Sequence, residues 1–506
     1  MVSPLLERWS AHAASPRLAI VDALGAHDYR SIDDLSRRLA LALLSGKASL
    51  GGERVALLIS PGAAFVSAFF AVLMAGGTVV VLSPLYPPRE TRYFCEDAGV
   101  STLLTSSELA SHAAPIADGK RVFYTEDPGE DRRLERPAEL GSDSPALQLY
   151  TSGTTGRPKG AVLTHGNIAT QQSLLHEAWG WSQDDVLLHA LPLHHMHGLA
   201  IALLPCLGAG ACARMVPFEA GRIWEELGQA TVFMAVPSMV QRLEVAFRAA
   251  GPEARARWSR GARGLRLATS GSAALPVTLG EFWRELTGQY PLERFGMTEI
   301  GVGLTNPLVG ERHPGCVGAP LPTVEARIVD EQGEDGLMGE LWIRGPSVFS
   351  GYHLRSEETA RAFARDPGGG APWFRTGDTV TRQGGPGGPF KILGRTSVDI
   401  LKSGGYKLSA LEIEEVLREC PSVLDAAVVG VADEAWGDRV VACVIPRPGA
   451  EGECTEEALR AFVRERLAPY KVPKTVRIME SFPRNPMGKV LKPELARDLS
   501  STLSRT

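Results

Sequence analysis

The 506-residue sequence has seven cysteines but no Cys-x-x-Cys pair, so neither a disulfide framework nor a zinc ribbon is expected. It also lacks an excess of basic charge. Its 53 Lys and Arg against 58 Asp and Glu leave a net charge of -5, which offers no broad field for nucleic acid. No fixed-period repeat is visible, which sets solenoids and propellers aside. The first residues, MVSPLLERWSAHAASPRLAIVD, contain no long apolar core of the secretory kind, and a cytoplasmic location is the expectation.

Charge is absent over one long stretch, Val55 to Pro88, which exceeds the ~20 apolar residues that cross a bilayer. Gly76, Gly77 and several prolines interrupt it. The expected reading is a buried helix over 63–74, a glycine turn and a buried strand over 78–82, with no membrane partner.

What the sequence does contain is ordinary globular material: 44% hydrophobic and 22% charged residues, long enough for roughly three units of about 150 residues. Short apolar runs (RVALLI, GTVVVL, VLLHAL, TVFMAV) alternate with helical stretches, which predicts an α/β fold with parallel or mixed sheets layered by helices. After about Gly394 the texture becomes a compact α+β unit. SALEIEEVLREC opens as a capping box (Ser409, Glu412), LDAAVVGV and RVVACVIP read as strands, TEEALRAFVRERL as a helix and TVRIME as a strand. The expected division is a large N-terminal region, 1–394, and a small C-terminal domain, 395–506. Two glycine-rich segments, DPGGGAP and GGPGGP, read as solvated loops.

Residues 149–160, LYTSGTTGRPKG, end a strand in a loop of hydroxyls and glycines with Arg157 and Lys159 at its far side. Such a loop turns backbone N–H groups and cations toward one anion, and phosphate is the natural guest. It is not a Walker A sequence, since no G-x-x-x-x-G-K-[ST] can be aligned there. LPLHHMHG places three histidines in four residues, but no further ligands at metal spacing accompany them.

Read in order, LYTSGTTGRPKG, LPLHHMHG, RFGMTE, WFRTGD, GRTSVDILKSGGYKLSALEIE and NPMGKVLK resemble the motifs of the adenylate-forming acyl-CoA synthetase family, and the resemblance spans nearly the whole chain. It implies that a carboxylate attacks the α-phosphate of ATP, releasing pyrophosphate, and that the thiol of coenzyme A then displaces AMP, with Mg2+ assisting. By the same resemblance, Thr151, Ser152, Gly153, Thr154, Thr155, Gly156 and Lys159 cradle phosphate. Ser270, Gly271, Ser272 and Phe295 join the ATP site, Thr298 meets a phosphate and Glu299 holds Mg2+. Asp378 and Arg395 bind the ribose, and Lys489 reaches the reacting carboxylate and α-phosphate. The small domain is implied to be mobile, pivoting at Asp399 and then offering Lys402, Gly404 and Gly405 to the thioester step.

The segments LPLHHMHGL, VPSMVQRL, SGSAALP and RFGMTE are together most similar to the malonyl-CoA synthetase branch of that family. That resemblance implies an acid pocket of His195, His197, Ser270 and Met297, in which Arg242 binds the second carboxylate of malonate, with methylmalonate also accepted. Spacing alone leaves another expectation open, a surface Arg242 paired with Glu244 or Glu225. The competing substrate expectation is a medium-chain, aryl or other short-chain acid.

Overall fold

Four neighbouring parallel strands, Val186–His189, Val232–Ala235, Leu267–Ser270 and Leu292–Met297, form the middle of a nine-stranded sheet. The first three are short, mostly apolar and largely buried, as strands covered on both faces must be, and the fourth buries its first three residues. Their carboxyl ends lead directly into LPLHHMHG, VPSMVQRL, SGSAALP and the GMTE turn, and so gather four of the sequence motifs at one edge of the sheet. Open α/β sheets build their ligand sites at that edge. These relations come from a computed structural model that describes residues 3–129, 131–151, 157–366, 369–433, 436–484 and 488–503.

A second sheet of seven strands runs from Gly351–Tyr352 through Lys159–Thr164 and Pro145–Thr151 to Arg121–Tyr124. The helix Ala63–Met74 buries 11 of its 12 residues in a core shared by both sheets. This is why it carries no charge, and the glycine turn and strand Thr78–Val81 follow it. Among the described residues, no helix is long and apolar enough to cross a membrane.

A third, antiparallel sheet pairs strand Trp373–Arg382 with Phe390–Arg395, so that Asp378 lies opposite Arg395. The GGPGGP segment is the connection between these two strands. The next strand, Ile400–Ser403, belongs to a fourth sheet with Tyr406–Ser409, Val423–Asp433, Gly437–Pro446 and Thr475–Ile478, and this sheet has its own apolar core. Helices Ala410–Arg418 and Glu456–Arg464 pack on it. The capping box at Ser409 is only half formed: its hydroxyl accepts the Glu412 N–H, but the Glu412 carboxylate turns away to Lys471 at 2.7 Å. An ammonium competes successfully with a backbone N–H for that carboxylate.

Candidate active site

The strand end and loop after His189 carry His194, His195 and His197, and the chain then enters a turn in the wide π register over His197–Leu203. Such turns are uncommon and concentrate at functional sites. Burial holds all three imidazoles neutral, with His194 pushed down to about 3, His195 to about 4 and His197 well below the usual histidine value. His197 Nδ1 stands 3.3 Å from Ser272 Oγ, and Ser272 itself has a left-handed backbone at φ 71°, a costly conformation for a non-glycine residue.

Next to this pair lies Arg294, which is 4% exposed. Its guanidinium pKa is pulled down to about 10 by burial, and its charge also acts on His197. No acidic side chain pairs with it among the described residues. Its Nε and Nη2, together with Ser270 Oγ and the Nε2 atoms of His195 and His197, are buried without a hydrogen-bond partner among the described residues. Unmet donors of this kind are expensive in a folded protein, and here they cluster at the carboxyl ends of adjacent strands. The motif reading missed Arg294. The available signal was a Glu-Arg pair, Glu293 and Arg294, inside a six-residue strand whose first three residues are buried.

Arg242 occupies the second turn of helix Pro237–Ala249. Its side chain is exposed, with the guanidinium 4.6 Å from the centre of the Phe218 ring. Neither partner expected from spacing takes it, because Glu244 binds Arg248 and Glu225 binds Arg257. Phe218 provides the cation with an aromatic face, and no acidic side chain pairs with it among the described residues.

The segment expected to cradle phosphate follows the strand in which Thr151 opposes Lys159. Ser152, Gly153, Thr154, Thr155 and Gly156 lie outside the described residues. Lys159 Nζ is 5.2 Å from the centre of the Tyr352 ring, and Tyr352 donates its hydroxyl to Glu299 at 2.8 Å. Glu299 is buried and its pKa is raised by desolvation. No group of three His, Cys, Asp or Glu that could hold a metal ion is found among the described residues. A single buried carboxylate suits a magnesium ion that takes its other oxygens from phosphates and water. Phe295 and Thr298 flank this turn, both half-buried.

Asp378 faces Arg395, whose Nε is 3.3 Å away, and burial raises the Asp378 carboxyl to about 6 despite that partner. Lys489 comes from the far end of the chain. Its pKa is lowered by burial and then by Arg395, while Asp399 and Asp378 oppose the shift. The structure thus brings Lys489, Asp378, Arg395 and Asp399 into one electrostatic neighbourhood. Gly404 and Gly405 make a two-residue hairpin turn with φ of 59° and 83°. The Gly404 and Lys402 N–H groups donate to the Trp436 carbonyl and to Asp438, both within the small domain.

The chain matches the model of the AMP-binding enzyme family over residues 6–353, and that of the AMP-binding enzyme C-terminal domain over 412–489. It is 41% identical to a Bos taurus protein named malonate–CoA ligase ACSF3, mitochondrial, covering 97% of this chain and 89% of the relative. It is 38% identical to an Arabidopsis thaliana malonate–CoA ligase over 90% of this chain and 79% of the relative. Among solved structures it resembles ATP-bound MatB from Rhodopseudomonas palustris, at TM-score 0.89 and 32% identity, with 99% of this chain and 100% of that one covered. With its site at the strand ends and its small C-terminal domain carrying Lys489, the chain belongs to the AMP-binding enzyme family.

Proposed function

We propose that this protein is an ATP-dependent malonate–CoA ligase, forming malonyl-AMP with release of pyrophosphate and then malonyl-CoA with release of AMP. The observation that carries the reading is the buried, carboxylate-free Arg294 beside Ser270 and His197. Malonate has one carboxylate to activate and one to park, and a guanidinium receives the parked group through two parallel hydrogen bonds. Arg242, on its Phe218 platform, adds a second cation at the same acid pocket, which Met297 and His195 help to line.

The first half-reaction sets an anion against a polyanion, so positioning and charge neutralisation do most of the work. Lys489 brings its ammonium to the attacking carboxylate and the α-phosphate in this reading, which its neighbourhood of Arg395, Asp378 and Asp399 supports. Thr298 and the Thr151–Lys159 loop hold the phosphates, Phe295 stacks on adenine, and Asp378 accepts from the ribose hydroxyls beside Arg395. Ser270, Gly271 and Ser272 complete the ATP site. Glu299 would hold a magnesium ion, which neutralises phosphate charge. Neutral His195 lines the junction between acid and phosphate without adding a cation of its own. For the second half-reaction the small domain, 395–506, turns about Asp399, and the Gly404–Gly405 turn with Lys402 admits the pantetheine arm of coenzyme A. All seven cysteines are free, which suits a reducing compartment such as the cytoplasm.

The test is CoA-dependent pyrophosphate release with malonate, methylmalonate, succinate, acetate, octanoate and benzoate. Malonate is expected to give the highest kcat/KM, with methylmalonate within about tenfold, since one methyl group is worth ~1 kcal/mol. Octanoate or benzoate as the best substrate would overturn the assignment.

A further inference from the structure

Lys489 lies in a loop whose ends are pinned together. Arg484 and Val490 form an isolated antiparallel bridge, and the Leu491 N–H donates to the Pro483 carbonyl at 2.8 Å. Across this loop the Arg484 guanidinium donates from Nη1 to the carbonyl of Gly488, the residue before Lys489, at 2.6 Å. Its other arm, Nη2, holds Asp425.

Asp425 begins a chain of alternating charges. Its Oδ1 accepts from Arg418 Nε at 3.1 Å, Arg418 Nη2 reaches Glu414 at 3.3 Å, and Glu414 binds Lys492 at 2.6 Å. Lys492 pairs with Asp399, whose other oxygen accepts the Arg395 backbone N–H at 2.9 Å. The chain therefore runs from the carbonyl next to Lys489 to the implied pivot and the ribose arginine. It is anchored to the small-domain sheet by Arg418 donating to the Ala426 carbonyl at 2.6 Å and Glu414 accepting the Val428 N–H at 2.8 Å.

The Lys489 end of this chain rests on the helix that carries Arg242. Gln241 Nε2 donates to the carbonyl of Leu424, the neighbour of Asp425, at 3.1 Å. Gly488, with φ of 77°, presses so close that a Cβ on it would meet Ser238 Oγ at 2.5 Å. Gly488 is thus seated against this helix while Arg484 holds its carbonyl.

We propose that Arg484 is a positioning residue for the adenylation half-reaction: by fixing the Gly488 carbonyl it aims Lys489 at the reacting carboxylate and α-phosphate. The inference rests on the adenylation role of Lys489 given above. Arg484 touches no reacting group itself; it acts through the loop backbone. The thioester step, in which Lys489 takes no part, does not depend on it.

The experiment uses the full chain and measures each half-reaction separately, as pyrophosphate release without CoA and as CoA consumption from synthetic malonyl-AMP. Arg484→Ala is expected to lower adenylation kcat about 10- to 100-fold, as a misplacement near 1 Å does, with KM for ATP and malonate changed less than about threefold and the thioester step within about twofold. Arg484→Lys keeps the Asp425 pair but loses the fork, and should fall between wild type and Arg484→Ala. In a Lys489→Ala background, Arg484→Ala should cost nothing further, since the two act as one unit. A parallel loss in both half-reactions, an additive loss in the double variant, or unchanged adenylation in Arg484→Ala would each overturn the proposal. If Lys489→Ala spares adenylation, the role given to Lys489 fails and this inference fails with it. If Lys489→Ala abolishes adenylation while Arg484→Ala spares it, this inference alone fails.

Discussion

The Arg294 guanidinium lies directly over the backbone of Gly271: a Cβ built on that glycine would stand 2.5 Å from both Cζ and Nε. The glycine thus makes room for a buried cation at the acid end of the site, and the two positions are expected to fail together. Arg294→Met leaves the parked carboxylate unpaired and should reduce kcat/KM for malonate by ~3 kcal/mol or more, over a hundredfold. Acetate, which has no second carboxylate, should be used as well as before or better. Gly271→Ala should shift selectivity in the same direction by displacing the arginine. Equal losses on malonate and acetate would make Arg294 a structural residue.

Of the two arginines proposed for the acid pocket, Arg242 is the more exposed, and its exposure limits what it contributes. Screening and competition with water hold such a group to about 1 kcal/mol or less. Arg242→Ala is therefore expected to lower malonate kcat/KM by up to about fivefold, less than the Arg294 variant, and again to spare acetate. Phe218→Leu removes the aromatic face under the guanidinium and should reproduce part of that loss. A larger effect at Arg242 than at Arg294 would reverse the order argued here.

Nucleotide capture should depend on pH through Asp378. Its carboxyl is raised to about 6 by burial, and only the ionised form is an acceptor for both ribose hydroxyls. The kcat/KM for ATP is then flat above about pH 6.5 and falls about tenfold for each pH unit below about 5.5. The histidines of the site would ordinarily titrate in this window, but burial drives His195 down to about 4 and His197 well below its usual value, so they leave the limb to the carboxylate. Asp378→Asn should lower activity at neutral pH and erase that limb. Its persistence in the variant would assign it to another group.

The parts of the site legible in the sequence are those whose chemistry is carried by a short contiguous motif. WFRTGD and GRTSVD each name one member of the Asp378–Arg395 pair, and local strand patterns suffice to predict the elements that hold them. What joins the two is the antiparallel register of strands Trp373–Arg382 and Phe390–Arg395, which no local pattern states. Arg294 escaped for a related reason: a Glu-Arg dipeptide reads as a solvated bend, and only the covering of both sheet faces turns it into a buried cation. The charge chain from Arg484 to Asp399 spans 85 residues of sequence and depends entirely on how the small domain closes on itself. Arg242 shows the converse failure, since its spacing from Glu244 and Glu225 is compatible with pairing, yet Arg248 and Arg257 occupy those acids.

Glu293, the neighbour of Arg294, gives a prediction about stability. It is 4% exposed, accepts the Gly315 N–H at 2.8 Å, and has its carboxyl raised to about 8, first by burial and further by Glu415. A carboxyl raised on folding binds its proton more tightly in the native state than in the unfolded chain. Between the ordinary glutamate value of about 4.3 and about 8, the native state therefore holds the extra proton, and stability falls as pH rises through that window. Glu293→Gln keeps an oxygen for the Gly315 N–H and removes the ionisation. The variant should match wild type near pH 4.5 and become progressively more stable up to pH 8.5, by an amount bounded at about 5 kcal/mol, given ~1.4 kcal/mol for each tenfold change in proton affinity. Denaturant midpoints measured across that range decide the matter, and a difference between the two proteins that does not change with pH would mean that Glu293 is not the group being titrated.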